Sequence, residues 1–383
     1  MKTSFTALLA TAALWGHLAG VGLGADFPQW KHLSSKTGDL PVPNGGKEQT
    51  ACLVLDVNKD GLNDIVIAER SQAPSIVWLR RNADGWTKYP VETGKTPVAA
   101  GGAFCDIDGD GDLDLVFGAP AGGSEIWWWE NPFPNYDPAT PWKRHVIASS
   151  GKGMHHDQLA GDFLGEGKPE IVSWFQAGGV LLLFPIPPDP RTTSSWPAVT
   201  VASGIRGGEG LAMGDIDGDG KPDIVGAGRW FKHLIGSDFA TYVIDAVQTG
   251  SRAAGGDLKK GGHLEVVMVL GDSVGRLKWY ECTGDPRQTT SWVGHDLLGA
   301  DANHADHPHT VSALAIPKAV AALVEAGTAQ INPDLHVHVG GWGNPSQRSR
   351  RSRSFPKDGS PVLQPYSDCR LRIDRRVAPR VFE

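Results

Sequence analysis

An aspartate-rich segment recurs through the chain at a nearly constant interval. Successive copies start 50, 56, 53 and 42 residues apart, at Asp56, Asp106, Asp162, Asp215 and Asp257. The copies read DVNKDGLNDIV, DIDGDGDLDLV, DFLGEGKPEIV, DIDGDGKPDIV and DLKKGGHLEVV. A period of this length indicates a repeat architecture in which each copy builds one unit of secondary structure.

Each copy is flanked by further segments that also recur. A run of small residues precedes the acidic segment, and an apolar run such as DIV follows it. A Trp-rich run such as EIWWWENP comes next, and an aromatic-led run such as WKRHVI closes the unit. Because most of the tryptophans recur at these positions, we expect them to form core between the units. Four short strands per unit, with abundant Gly and Pro, predict an all-β fold, a β-propeller of six or seven four-stranded blades. A β-sandwich would not require a fixed period.

The aromatic-led segment at Trp30 has no strands of its own before it. We expect it to supply the outer strand of the last blade, which would close the ring and remove a free sheet edge. A sixth acidic segment is expected near Ile316, where the aspartates are missing. The propeller is therefore predicted to be incomplete at its C-terminus, either before a disordered tail or because the reading frame shifts after Ala315.

The two ends of the chain differ in composition from the repeats. Residues 1–24 combine one Lys, a short apolar run and a small-residue ending, which is typical of a secretory signal. Residues 25–345 are assigned to the propeller, and residues 346–383 to a basic tail rich in Arg, Ser and Pro that is disordered or aberrant. The sequence predicts a secreted or periplasmic protein without a membrane span, since no apolar run reaches about 20 residues.

The acidic segments have the spacing of a calcium loop. The pattern Asp-x-Asp-Gly-Asp-Gly-x-x-Asp places carboxylates at positions 1, 3, 5 and 9, and its glycines permit a tight turn. Calcium takes 6 to 8 oxygen ligands, so such a loop can surround one ion. The predicted Ca²⁺ ligands lie in two complete loops and one loop with an Asn: Asp106, Asp108, Asp110, Asp114, Asp215, Asp217, Asp219, Asp223, Asp56, Asn58, Asp60 and Asp64.

The other two loops are predicted to hold no calcium. Leu164 replaces a ligand in the loop at Asp162, and Lys259 and Gly261 replace two in the loop at Asp257. An ammonium group at a ligand position opposes a cation. The alternative for all five segments is a solvated acidic turn, although acidic turns stacked at one period would repel one another.

Two of the acidic segments resemble a known repeat family. DIDGDGDLDLVFGAP and DIDGDGKPDIVGAG are similar to the FG-GAP or VCBS-type repeats of secreted bacterial β-propellers, over roughly residues 30–315. This resemblance implies a propeller with calcium in its loops. GMHHDQLAGDF and HPHTVSALA also resemble the propeller of aldos-2-ulose dehydratase, which implies a sugar lyase with bound metal ions.

Polar residues recur where the innermost strands are predicted to start, at the channel mouth opposite the acidic loops. Imidazole and carboxylate groups there could bind a second divalent metal or act as general acid and base. Arg206 or Arg229 could stabilise an enolate. Counting back six or seven residues from each acidic segment gives the catalytic candidates His155, His156, Glu209 and His309, with His304 and His307 nearby.

Two classes of function remain open at this stage. One is a carbohydrate-acting lyase or dehydratase that uses the histidine pocket, and the other is a non-catalytic binding or adhesion module stabilised by calcium. The partner would be a carbohydrate or another extracellular ligand. Nucleic acid is excluded for the main body, because 43 acidic residues outnumber 36 basic ones and the net charge is −7. The oligomeric state stays open, as does a damaged gene product.

Overall fold

Five four-stranded antiparallel sheets make up most of the computed structural model, which describes residues 30–149, 153–259, 261–271, 276–297 and 372–374. In each sheet the strands lie in chain order, so every sheet is a meander. We call the sheets blades 1 to 5. The all-β propeller fold predicted from the repeat is confirmed, and its sixth unit lies outside the described residues.

The strands of the blades follow one another along the chain. They are β2 (Gln49–Leu55), β3 (Asp64–Glu69), β4 (Ile76–Asn82) and β5 (Gly85–Glu92) in blade 1; β6 (Ala103–Cys105), β7 (Asp114–Gly118), β8 (Glu125–Glu130) and β9 (Lys143–Ser149) in blade 2; β10 (His155–Gly161), β11 (Glu170–Phe175), β12 (Val180–Pro185) and β13 (Val199–Ser203) in blade 3; β14 (Ala212–Gly214), β15 (Asp223–Gly226), β16 (Arg229–Ile235) and β17 (Asp238–Val243) in blade 4; β18 (Ser251–Gly256), β19 (Glu265–Leu270), β20 (Lys278–Cys282) and β21 (Trp292–Asp296) in blade 5.

The acidic segment joins the first strand to the second in every blade, and we name each loop after its first residue. The second strands are the most buried part of the fold. Every residue of β3, β7 and β15 is buried. Neighbouring blades cover both faces of β7 and β15. That double cover explains why the sequence there is a continuous apolar run rather than an alternating one.

The core lies between blades. Each of four hydrophobic clusters joins two consecutive blades; Trp78 of blade 1 packs in one cluster with Trp129 of blade 2. The prediction that most tryptophans form inter-blade core is confirmed for the fully buried residues Trp78, Trp128, Trp129, Trp174 and Trp230. Their burial supplies much of the apolar area that holds consecutive blades together.

A separate two-stranded sheet pairs β1 (Trp30–His32) with β22 (Arg372–Asp374) in antiparallel register. The segment at Trp30 was expected to complete the last blade, and in the structure its partner is β22. The predicted signal (1–24) and almost all of the predicted tail (346–383) lie outside the described residues. Where the structure describes helix, there are only two short 3-10 turns (Ala246–Gln248 and Thr289–Ser291), and neither could cross a membrane.

Candidate metal-binding loops and axial polar cluster

One hydrogen bond recurs in all five acidic loops. The carboxylate at position 9, at the start of the second strand, accepts from the backbone N–H at position 2. Because both partners are buried, this bond fixes the width of the loop where it meets the sheet. The bonds run from Val57 to Asp64 (3.3 Å), Ile107 to Asp114 (3.0 Å), Phe163 to Glu170 (2.7 Å), Ile216 to Asp223 (2.9 Å) and Leu258 to Glu265 (2.8 Å).

The aspartate at position 1 closes the turn itself. In four loops it accepts from the backbone N–H of the glycine at position 6, and in the Asp257 loop from Gly261 at position 5 (3.2 Å). The turn needs left-handed backbone: Gly109 and Gly111 have φ of +79° and +89°, a region that glycine adopts without steric cost. Positions 1 and 9 are therefore both tied by hydrogen bonds to the backbone of the loop.

Position 3 distinguishes the two complete loops from the others. Oxygens of Asp106, Asp108 and Asp114 lie within 4.8 Å of one another, and the same is true of Asp215, Asp217 and Asp223. These carboxylate sets could bind a metal ion, since hard cations take oxygen ligands. In the described part of the chain, no other three acidic, histidine or cysteine side chains approach so closely.

The predicted ligands at position 5 stand outside these sets. Asp110 accepts from the Asp112 N–H (3.2 Å), and Asp219 accepts from the Lys221 N–H (3.0 Å). In the Asp56 loop, the Asn58 side-chain amide donates to Asp60 (2.8 Å). The structure thus brings positions 1, 3 and 9 together in the two complete loops and uses position 5 to shape the turn.

Burial makes the position 9 carboxylates difficult to ionise in the absence of a cation. It raises the pKa of Asp114 to about 8, of Asp223 to about 7 and of Asp64 to about 6, against opposing backbone donors. A cation in the loop would supply the missing positive charge. Cation binding at these loops is therefore expected to release protons near neutral pH.

Arginines from the following blade also reach the two complete loops. Arg191 Nη2 lies 2.5 Å from Asp108 and 3.4 Å from Asp110, and Arg287 Nη2 lies 2.9 Å from Asp217. Both belong to hairpins between the third and fourth strands, with the related sequences DPRTTSSW (189–196) and DPRQTTSW (285–292). Our sequence analysis missed this second repeat, although the shared octapeptide is a visible signal.

At the other end of the inner strands, Asp157 joins four blades. Its N–H donates to the Ala100 carbonyl (2.9 Å), and its Oδ2 accepts from the Gly210 N–H (2.9 Å) and from Arg252 Nη1 (2.8 Å). His156 Nδ1 lies 2.7 Å from the same oxygen. The strand β10 bulges here, and Asp157 has a φ of +49°, an uncommon conformation for a residue other than glycine.

Within this cluster, neighbouring donors stabilise the ionised Asp157 carboxylate. Burial would raise the pKa of Asp157, but Arg252, His156 and the Gly210 N–H hold it well below its usual range. Arg252 Nη1 also lies 3.4 Å from Glu209, which accepts from the Gln176 amide (3.0 Å). His156 and Glu209, both predicted site residues, therefore converge through Arg252. We refer to His156, Asp157, Glu209 and Arg252 as the axial cluster.

Arg252 is a cluster member that our sequence analysis missed. It lies five residues before Asp257, just as Asp157 lies five residues before Asp162, so the count of six or seven residues used for the histidines passed over it. Of the two arginines considered instead, Arg229 donates to the Ala227 carbonyl of its own blade (2.6 Å). Arg206 lies against Gly179 of blade 3.

His155 is separated from the axial cluster, because successive side chains of a strand point to opposite faces. It is fully buried between blades 2 and 3, where its ring stacks on Phe175 with centroids 5.2 Å apart. Burial lowers the pKa of His155 to about 4, so the imidazole is neutral at pH 7. His309, the fourth catalytic candidate, lies outside the described residues, as do His304 and His307.

Little free space remains around the axial cluster. A cavity of about 20 Å³ is lined by inner-strand residues of all five blades, including Leu53, Gly101, Asp157, Leu211 and Ala253. Such a volume holds about one water molecule. The cavity that these described residues line is smaller than a sugar.

Comparison with known families agrees with the repeat. The model of the FG-GAP-like repeat matches residues 56–117, 106–173 and 162–226. Residues 56–226 of the propeller therefore consist of FG-GAP-like repeats. The three matched ranges each run from one acidic loop into the next blade, so the family repeat and the structural blade are offset by one strand.

Solved structures similar to this FG-GAP repeat propeller are remote in sequence. They include the biofilm matrix protein Bap1 of V. cholerae (TM-score 0.42, 17% identity, 69% of this chain and 43% of that chain). Rhamnogalacturonan lyase YesW (0.39, 17%, 67% and 51%) and YCF48 from Cyanidioschyzon merolae (0.38, 10%, 70% and 74%) are also similar. The chain thus spans about half or less of the lengths of Bap1 and YesW. No curated protein matches it significantly.

The buried His155 of this FG-GAP repeat propeller predicts a specific acid sensitivity. The unfolded chain takes up a proton near pH 6.5 and the folded protein only near pH 4, so stability falls as pH falls between these values. The full effect is on the order of 3 kcal/mol. His155→Phe keeps an aromatic ring beside Phe175 and removes the titration. Urea unfolding should show a smaller loss of stability for the variant between pH 6.5 and 4; parallel curves would contradict this assignment.

Proposed function

We propose that this protein is a secreted or periplasmic, calcium-stabilised β-propeller that serves as a non-catalytic binding or adhesion module. The observation that carries the proposal is the contrast between the two ends of the inner strands. At one end, two loops each bring three carboxylates within 4.8 Å of one another. At the other, the polar residues are buried and paired with one another.

Calcium suits the Asp106 and Asp215 loops for chemical reasons. Asp106, Asp108 and Asp114 offer several carboxylate oxygens in one small space, and calcium accepts 6 to 8 oxygen ligands in flexible geometry. Water molecules and backbone carbonyls would complete its coordination. The weak affinities typical of extracellular modules, about 10⁻⁴ to 10⁻³ M, would suffice outside the cell.

The other three loops fit calcium less well. The Asp56 loop lacks one carboxylate at Asn58 and carries an ion pair between Arg80 and Asp60 (3.5 Å), so we assign it weaker binding. The Asp162 loop has Leu164 at position 3, and the Asp257 loop has Lys259, whose ammonium pairs with Glu281. We expect these last two loops to fold without calcium, because their position 1 and position 9 bonds are already made.

A module function also agrees with the burial and mutual pairing of the axial-cluster side chains. A general base needs a reachable lone pair and a path for substrate. His156 is 4% exposed and its Nδ1 is taken by Asp157, whereas the Arg252 guanidinium stands where a second divalent metal would need to bind. The ligand of the module would be a carbohydrate or another extracellular molecule bound to the outer surface.

A carbohydrate-acting lyase or dehydratase is the second candidate. The convergence of His156, Glu209 and Arg252 favours it, because a base beside a guanidinium could remove a proton and stabilise an enolate. The test is ultraviolet absorbance of an unsaturated product with a panel of acidic and neutral polysaccharides. We expect no turnover; turnover that is lost in both His156→Ala and Glu209→Gln would favour the enzyme instead.

Removal of calcium should lower the melting temperature of the mature protein by several degrees, since the loop carboxylates then repel one another. Re-addition of calcium should restore it. Asp108→Asn should lose most of this calcium-dependent increment. Asp84→Asn, which removes the same charge from an exposed turn, should keep it. Differential scanning calorimetry of calcium-depleted and reloaded protein measures both effects, and identical melting curves with EDTA and with calcium would contradict calcium stabilisation.

A further inference from the structure

The two complete acidic loops have the same sequence pattern but different surroundings. In blade 2, Leu115 pairs with Trp129, and the next residue on the third strand is Glu130. In blade 4, Ile224 pairs with Phe231, and the next residue is Lys232. A carboxylate and an ammonium group thus occupy the same place beside the position 9 aspartate of the two loops.

Lys232 is directed into the Asp215 loop. Its Nζ lies 2.9 and 2.7 Å from the two oxygens of Asp217 and 2.5 Å from Asp219. The Lys232 side chain is only 15% exposed, and the Asp217 side chain 3%. Arg287 adds a second cation to Asp217 at 2.9 Å. Both oxygens of the position 3 carboxylate therefore already contact an ammonium group.

Glu130 adds a negative charge beside the Asp106 loop, where Lys232 adds a positive charge beside the Asp215 loop. It accepts from Arg191 Nε (3.0 Å), so the arginine that reaches Asp108 is shared with a further acid. Asp112 adds another buried carboxylate in the same loop. By formal charge this loop is more negative than the Asp215 loop. Lys143 pairs with Glu130 (3.6 Å), but among the described residues no lysine forms an ion pair with the carboxylate set of this loop. Charge count is one of the quantities that set calcium affinity.

We infer that the ammonium group of Lys232 competes with calcium for the carboxylates of the Asp215 loop, so that the two complete loops differ in calcium affinity. The Asp106 loop binds calcium at lower concentration. The Asp215 loop binds it only when calcium displaces the Lys232 ammonium from Asp217 and Asp219. The inference rests on the proposed calcium binding. It adds that Lys232, which lies outside both loops, determines the calcium affinity of the Asp215 loop.

Calcium titration of the mature protein by calorimetry tests the order of binding. The two complete loops are expected to give two binding steps, besides the weaker binding assigned to the Asp56 loop. The tighter of the two is lost in Asp108→Asn and the weaker in Asp217→Asn. Lys232→Gln should tighten the weaker step roughly tenfold or more, because a unit charge within about 4 Å is removed. Lys221→Gln is the matched control: it removes the same charge from an exposed side chain of the same loop and should change affinity less than threefold.

The outcomes separate the inference from the function on which it rests. If the wild-type protein binds calcium but Lys232→Gln and Lys221→Gln behave alike, the competition by Lys232 is wrong while calcium binding stands. Loss of the tighter step in Asp217→Asn would also overturn the assigned order. If neither the wild-type protein nor Lys232→Gln binds calcium, the proposed function fails, and the inference fails with it.

In EDTA, Lys232→Gln should melt below Lys221→Gln, since Asp217 then loses its ammonium partner.

Discussion

The rest of the structure depends on a buried hydrogen bond at the base of each acidic loop, from the position 2 N–H to the position 9 carboxylate. The bond occurs in all five blades, whether the acceptor is Asp114 or Glu170. Because it joins the first strand to the second, it sets where the fully buried second strand begins. Packing of one blade on the next follows from that placement, since the tryptophans of the third strands pair in register with the second strands.

This bond explains why the repeat separates into a constant part and a variable part. Positions 1 and 9 serve the backbone and remain acidic in all five copies. Position 3 does not make either of these recurring hydrogen bonds, so Asp108, Leu164 or Lys259 can stand there without loss of the fold. The proposed calcium sites therefore depend on a position that the shared loop hydrogen bonds leave variable, and we propose that the charge supplied by neighbouring strands and hairpins decides which loops hold an ion.

The features predicted from sequence were those encoded within one repeat: the period, the strand order, the acidic loops and the tryptophan core. The features that were missed come from contacts between repeats or from adjacent strands. Arg191 reaches a loop 81 residues away, and Arg252 meets Asp157 across 95 residues. Strand alternation could have separated His155 from His156, but the bulge at Asp157 could not be seen in the sequence. It turns that side chain into the cluster through an uncommon backbone conformation.

The central claim is that clustered carboxylates at position 3, and not the loop fold as such, determine where cations stabilise the propeller. Hydrogen–deuterium exchange with and without calcium tests it most directly, because all five loops are observed in one experiment. The account predicts calcium-dependent protection in residues 106–114 and, at higher calcium, in 215–223, with no change in 162–170 or 257–265. Equal protection of all five loops, or protection of the Asp162 loop first, would contradict it.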